Sequence, residues 1–223
     1  HPIHAEAGGP AALSGCMITQ LDGGRRGVFS GDAVDKAMKP YKHNRPVPKV
    51  VSVEQTSNFG GGACWTLDEM KDVSAAAKRS NLAMHMDGAR LLNAVAATGT
   101  SAKDFAQQCD SAWIDLSKGL GCPVGAVLVG SKDFIDESWR WKHQFGGAMR
   151  QSGIIAAAGV YAFQNNVERM ADDHQNAKRL AQGLMQIPGI EVDPEEPETN
   201  MVFFDCAGLG MDNYDVSAKL LAK

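Results

Sequence analysis

Several things are missing from this 223-residue sequence, and each absence closes off a class of function. No window comes near the ~18 consecutive apolar residues that a membrane-spanning helix needs. No C-x-x-C pair occurs. The five cysteines (Cys16, Cys64, Cys109, Cys122, Cys206) are odd in number and scattered, so neither a zinc site nor a disulfide framework is indicated. They read instead as buried, reduced thiols, which points to the cytoplasm. Positive charge is not in excess: 22 Lys and Arg face 26 Asp and Glu, a formal net charge of −4. That balance argues against nucleic acid or an anionic membrane as partner. Neither a G-x-G-x-x-G fingerprint nor a G-K-[ST] loop is present, which argues against a Rossmann-type oxidoreductase and a P-loop enzyme. The sequence starts at His1 with no initiator Met and no signal stretch, and it stops in what reads as the first turns of a helix. Both ends are expected to be cut, with an N-terminal part missing.

What is present is glycine. Its 24 residues cluster at 8–9, 60–62, 119/121 and 146–147, where backbone can approach a ligand or another chain closely. Around them the sequence alternates strand-like and helix-like segments. Pro46 and Pro48 introduce a strand at 50–54. Thr66, with Glu69 three residues on, gives a capping box for a helix over 67–79. A strand at 82–86, a helix at 90–97, a helix capped by Ser101 and running through Gln108, and a strand at 112–116 follow. Residues 124–129 read as a buried strand, and Ser131 opens another helix. This alternation predicts an α/β fold with a mostly parallel sheet and helices on both faces. In such sheets ligands bind beyond the carboxyl ends of the strands.

From 151 to 186 the pattern is helical, with a polar interruption at Asn165-Asn166 that leaves one helix or two open. Pro188-Gly189 ends it. Residues 190–192 and 201–204 read as strands around an acidic loop at 193–198. A domain boundary is therefore placed here: 1–186 form a large domain, and 187–223 begin a smaller C-terminal α/β domain.

Two constellations can carry chemistry. In HMDGAR (85–90), the two-residue period of a strand puts His85 and Asp87 on one face, with Asp87 at the strand's end and Arg90 three residues on. The bland alternative is an Asp that caps the next helix. In DLSKGLG (115–121), Lys118 follows a strand end in a loop of small residues. A lone lysine in a polar turn is ordinarily a surface residue, but Leu116, Leu120 and the strand after them describe an apolar, buried neighbourhood. A lysine held there can form a Schiff base. Asp87 and Lys118 together match a pyridoxal phosphate site, in which the carboxylate pairs with the protonated pyridine nitrogen.

Three stretches, HMDGARLLNAVAATG (85–99), SAWIDLSKGLGCPVGAVLVGS (111–131) and GGAMRQSGIIAAAGVYA (146–162), resemble the threonine aldolase family of fold-type I pyridoxal phosphate enzymes. The similarity stays in register from EAGG (6–9) to TNMVFF (199–204). The resemblance implies a pyridoxal 5'-phosphate cofactor and retro-aldol cleavage of L-threonine, L-allo-threonine or a related β-hydroxy-α-amino acid to glycine and an aldehyde. It implies Lys118 as the Schiff-base lysine, Asp87 as the pyridine-nitrogen partner, and Arg90 near the cofactor O3′ and the substrate carboxylate. His1 takes the place of the ring-stacking histidine, which also helps remove the substrate hydroxyl proton. Arg150 resembles an arginine close to the cofactor that reaches a neighbouring subunit's site. A homodimer or homotetramer is implied as well, with a small amino acid as substrate.

The chain departs from the family pattern at Glu54-Gln55-Thr56-Ser57-Asn58, where members usually read E-N-T-H-N. Ser57 stands where a histidine faces the substrate hydroxyl, so His1 or a water takes over as base, and the glycine triplet at 60–62 is expected to widen the pocket. The family's Ser-Gly-Thr phosphate loop would lie before His1, and a later substrate-clamping arginine after Lys223. Two rivals remain: another fold-type I lyase (a phenylserine aldolase or a β-eliminating lyase) and a non-catalytic relative of the fold. Elsewhere, His4 and Glu6 read as structural, His43 and His174 as surface residues, and Cys122 as a small buried side chain. Trp139 and Trp141 are expected at a subunit interface. No metal ligand set is evident.

Overall fold

A computed structural model describes residues 1–223, the side chain of Pro2 excepted. Three helices come first: α1 (Pro2–Ala5), α2 (Gly9–Ser14) and α3 (Gly31–Ala37). The central unit runs β1 (Val50–Glu54), α4 (Leu67–Arg79), β2 (Ala83–Gly88), α5 (Leu91–Thr98), α6 (Ala102–Ala106), β3 (Ser111–Asp115) and β4 (Ala126–Gly130). Then follow α7 (Lys132–Gln144), α8 (Gly153–Asn165), α9 (Met170–Leu184), β5 (Glu191–Val192), β6 (Phe204–Asp205) and α10 (Asn213–Leu221).

The main sheet has the order β1-β2-β3-β4. β1 and β3 both flank β2 in parallel, and β4 returns antiparallel beside β3. The mostly parallel α/β sheet expected from the sequence is thus what forms. Sequence chemistry explains the individual elements. The Thr66 hydroxyl accepts from Glu69 N while the Glu69 carboxylate accepts from Thr66 N, which closes the capping box at the start of α4; such a cap contributes about 1 kcal/mol. From α4, Met70, Val73, Ala76 and Ala77 face inward and meet Val51 and Val53 of β1 and Met84 and Met86 of β2. The period-2 alternation of those strands therefore sends one face into the core. The other face, with Ser52, Glu54, His85 and Asp87, stays polar.

A second apolar cluster joins Leu92 of α5, Leu116, Leu120 and Cys122 of the loop after β3, Ala162 of α8 and Met170 of α9. The chain from 151 to 186 is resolved as two helices. They part at Asn166, whose amide donates to Leu120 O and ties the break to that loop. The expected strand at 201–204 is shorter and later: only Phe204–Asp205 pairs, with Glu191–Val192. The expectation of a buried strand at 124–129 is not met, since every residue of β4 is exposed. β4 is the sheet edge, and its apolar side chains look outward on both faces.

Candidate active site at the carboxyl edge of the sheet

Because β1, β2 and β3 run in parallel, their carboxyl ends share one edge. The register pairs Glu54 with Asp87, and Asp87 with Trp113. Paired residues of parallel strands point to the same side, so Glu54, Asp87, Trp113 and, two residues on, Asp115 all stand on the polar face. Lys118 reaches back over this face from the loop after β3. Its Nζ lies 2.9 Å from Asp115 Oδ2 and 5.5 Å from the Trp113 ring centre. The loop is fixed by Leu116 N donating to Gly125 O, Cys122 N to Leu116 O and Gly121 N to Lys118 O. Asn93 of α5 presses on it at Gly119, where a β-carbon would stand 2.8 Å from Asn93 Oδ1.

The electrostatics follow from burial and crowding. Burial, reinforced by the neighbouring Glu54 charge, pushes the Asp87 carboxyl up to about 6, against the opposing pull of a hydrogen bond from Ala89 N and the charge of Lys118. Burial likewise raises Glu54, although Asn58 N donates to it and the positive charges of Arg90 and Lys118 oppose the shift. Two carboxylates side by side cannot both ionise cheaply. Asp115 goes the other way: burial works against its charge, but hydrogen bonds from Ser117 and Lys118 outweigh that and hold it below the usual range.

Some buried polar atoms near this edge lack a hydrogen-bond partner. Arg90 Nη1 is one and Glu54 Oε1 another. His1 Nδ1 sits 2.8 Å from that Glu54 oxygen, an ion-pair distance without hydrogen-bond alignment. The His1 ring is packed edge-on against Phe59, with centroids 5.1 Å apart. An unpartnered guanidinium nitrogen beside paired carboxylates and a lysine amine is a set of groups arranged for a ligand with both acidic and basic atoms.

The structure brings His1, Asp87, Arg90 and Lys118 toward one edge. Lys118 departs from expectation in its burial. Its neighbours Leu116, Leu120 and Cys122 are buried, but the lysine emerges from them with its side chain 37% exposed. Ser57 is buried with its hydroxyl against Gly27 and Gly60, where a β-carbon on either glycine would collide with it. The glycine triplet does not widen a pocket either. Gly60 lies against Arg26 O, Gly61 against Pro194 and Gly62 against Thr199, so the run is filled by close backbone approach. The Arg26 guanidinium clamps this region by donating to Glu69 and Cys64 O. Arg150 is exposed in the turn between α7 and α8 and, among the described residues, forms no ion pair. His174 is not a surface residue: it is buried and pairs with Asn93 at 3.1 Å. Cys16 is exposed, unlike the buried thiol expected there; Cys64, Cys122 and Cys206 are buried, and all five cysteines are free.

Glu54 and Asp115 went unnoticed in the sequence. The signal was present: an acidic residue closes the 50–54 and 111–115 runs as Asp87 nearly closes the one between them. Only the register shows that the three share a face. An open trough of about 1180 Å³, lined by Arg25, Met185, Asp193 and Phe204, lies elsewhere. It gathers none of these groups.

A family model described as Beta-eliminating lyase matches residues 1–207. The low specificity L-threonine aldolase of Escherichia coli O157:H7 is 42% identical over 203 residues, which cover 91% of this chain and 59% of that protein. Among solved structures, a provisionally named L-allo-threonine aldolase of Listeria monocytogenes EGD-E superposes with a TM-score of 0.79 at 26% identity, covering 92% of this chain and 56% of the other. The threonine aldolase of Leishmania major matches with a TM-score of 0.77 at 18% identity, over 97% of this chain and 62% of that one, a likeness of fold. The chain spans less than two thirds of the length of these relatives. No helix is long and apolar enough to cross a membrane among the described residues.

Proposed function

This chain belongs to the beta-eliminating lyase family, and from that premise we propose that the full-length protein is a pyridoxal 5'-phosphate-dependent aldolase. It cleaves L-threonine, L-allo-threonine or a related L-β-hydroxy-α-amino acid to glycine and an aldehyde. The observation that carries the reading is the convergence of Asp87 and Lys118 on one face at the carboxyl edge of parallel strands. The residues present fit the cofactor chemically: a carboxylate for a ring N–H, an amine for an aldehyde, and at Arg90 a buried guanidinium nitrogen without a partner.

When bound, the cofactor supplies an electron sink for the bond that breaks at Cα. The protein's own groups do the rest. Asp87, crowded by burial and by Glu54, gains most from a cation placed against it, so binding of a protonated ring nitrogen is favoured there. Lys118 Nζ supplies the amine, and Arg90 Nη1, buried without a partner, is assigned to a substrate carboxylate. His1, whose Nδ1 lies 2.8 Å from Glu54 Oε1, presents Nε2 as the base for the substrate hydroxyl proton. Ser57 bears on the substrate through the loop that its hydroxyl braces. Arg150, exposed and unpaired, serves a neighbouring subunit in a homodimer or homotetramer. The free cysteines support a cytoplasmic protein.

The test is product analysis on the full-length protein given L-threonine and cofactor. Glycine and acetaldehyde in equal amounts support the aldolase. Ammonia and a keto acid would instead make it a β-eliminating enzyme, and no product from any β-hydroxy amino acid would leave a non-catalytic fold.

A further inference from the structure

We propose that Asp115 is a positioning residue that clasps the Lys118 amine whenever it is not joined to cofactor, and so sets how fast cofactor is captured. The inference rests on the reading of Lys118 given above. Its basis is a carboxylate fixed in advance. Asp115 closes β3 with its side chain only 9% exposed. One of its oxygens, Oδ1, accepts from Ser117 N at 2.7 Å and from Ser117 Oγ at 2.6 Å. That leaves Oδ2 aimed at Lys118 Nζ, 2.9 Å away.

Exposed ion pairs usually stabilise little, because two long side chains must be ordered to make them. Here the acid is already ordered by the turn, and the lysine loop is tied down by its own backbone bonds. Other charged groups face Lys118 from the neighbouring strands: Asp87 on β2 and Glu54 on β1. Burial keeps both from ionising as readily as Asp115 does, and neither is in ion-pair contact with Nζ. The close counter-ion is Asp115.

The consequence is chemical. Joining requires the neutral amine: its lone pair adds to the aldehyde carbon, a C–N bond forms, and the carbonyl oxygen leaves as water with two protons from the nitrogen. The 2.9 Å contact with Asp115 Oδ2 must open before that nitrogen can reach a carbonyl carbon. In turnover the same pair receives the lysine after substrate has displaced it, and delays its return.

The experiment uses the full-length protein freed of cofactor. Wild type and Asp115→Asn are mixed with pyridoxal 5'-phosphate at one pH and ionic strength. The rate of capture is followed by the absorbance of the lysine-linked cofactor, and the adduct is fixed with borohydride and placed by mass spectrometry. The Asn variant should capture cofactor roughly two- to fivefold faster, the effect of releasing a partly exposed ion pair. Asp115→Glu should restore the slow rate. Ser117→Ala, which frees the carboxylate without removing it, should fall between them. An adduct on Lys118 that forms at an equal or lower rate in Asp115→Asn overturns this inference alone. No adduct on Lys118 in wild type overturns the cofactor reading and this inference with it.

Discussion

Two parts of the molecule carry similar apolar content and do opposite things with it. In the first, β1 to β3 with α4 to α6, the inward face is sealed: Trp65, Met70, Val73, Met86 and Phe105 are essentially inaccessible. In the second, β4 with α7 and α8, the apolar side chains look out, with Trp139 53%, Ile154 76% and Tyr161 63% exposed. The candidate site belongs to the sealed part, at the polar end of its sheet, and Lys118 lies on the loop that leads from one part to the other. Rigid packing behind a strand edge is what holds Glu54, Asp87 and Asp115 side by side despite their charge. In the second part an apolar pattern in sequence stays exposed.

The largest effect expected is functional. Lys118→Ala in the full-length protein should abolish cofactor linkage and glycine formation, since the proposed linkage depends on its Nζ; retained turnover in a product assay would detach the chemistry from the sealed region. Next come core truncations. Phe105→Ala should destabilise by roughly 3–5 kcal/mol, measured by urea unfolding of the 223-residue chain, whereas Trp139→Ala should stay within about 0.5 kcal/mol. A comparable loss for Trp139→Ala would mean that a second copy covers the α7 face in solution, and the contrast between the regions would be broken.

A third prediction concerns Asp87 and pH. Its carboxyl titrates near 6 in the folded chain, above the usual range, so folding favours the protonated form. The stability this group supports is fully present below about pH 4 and is lost as pH rises through about 6. Asp87→Asn should therefore stabilise the cofactor-free protein at pH 7 by up to roughly 2–3 kcal/mol, and by nothing measurable near pH 4. Equal melting curves at pH 7 would show that Asp87 is not strained by its surroundings. Smallest is Gly62→Ala: its positive φ and the Thr199 hydroxyl above it predict a loss of about 1–3 kcal/mol. A neutral result would reopen the idea that the glycine run lines free space.

Much of this was legible in sequence, for a physical reason. The Thr66–Glu69 capping box, the alternation in 50–54 and the helix cap at Ser101 are local, and local chemistry formed them as expected. Asp87 and Lys118 stood out because strand ends and small-residue loops are also local signals. What escaped depends on distant partners. Ser57 turns toward Gly27 because a loop about thirty residues earlier packs on it, and His174 is buried because Asn93 reaches it from α5. Glu54 becomes a site residue only through its pairing with Asp87, which no spacing in the sequence states. β4 misled in the other direction: its run of Val and Leu signals burial, yet every residue of the strand is exposed.

The central claim is that Lys118 is the residue that takes the cofactor, and reductive trapping tests it most directly. The full-length protein is incubated with pyridoxal 5'-phosphate, reduced with borohydride, digested and mapped by mass spectrometry. The account predicts a single cofactor-sized mass on the peptide holding Lys118, lost in Lys118→Ala and weakened in Asp87→Ala. A label on any other lysine, or a folded protein that takes no label, would contradict it.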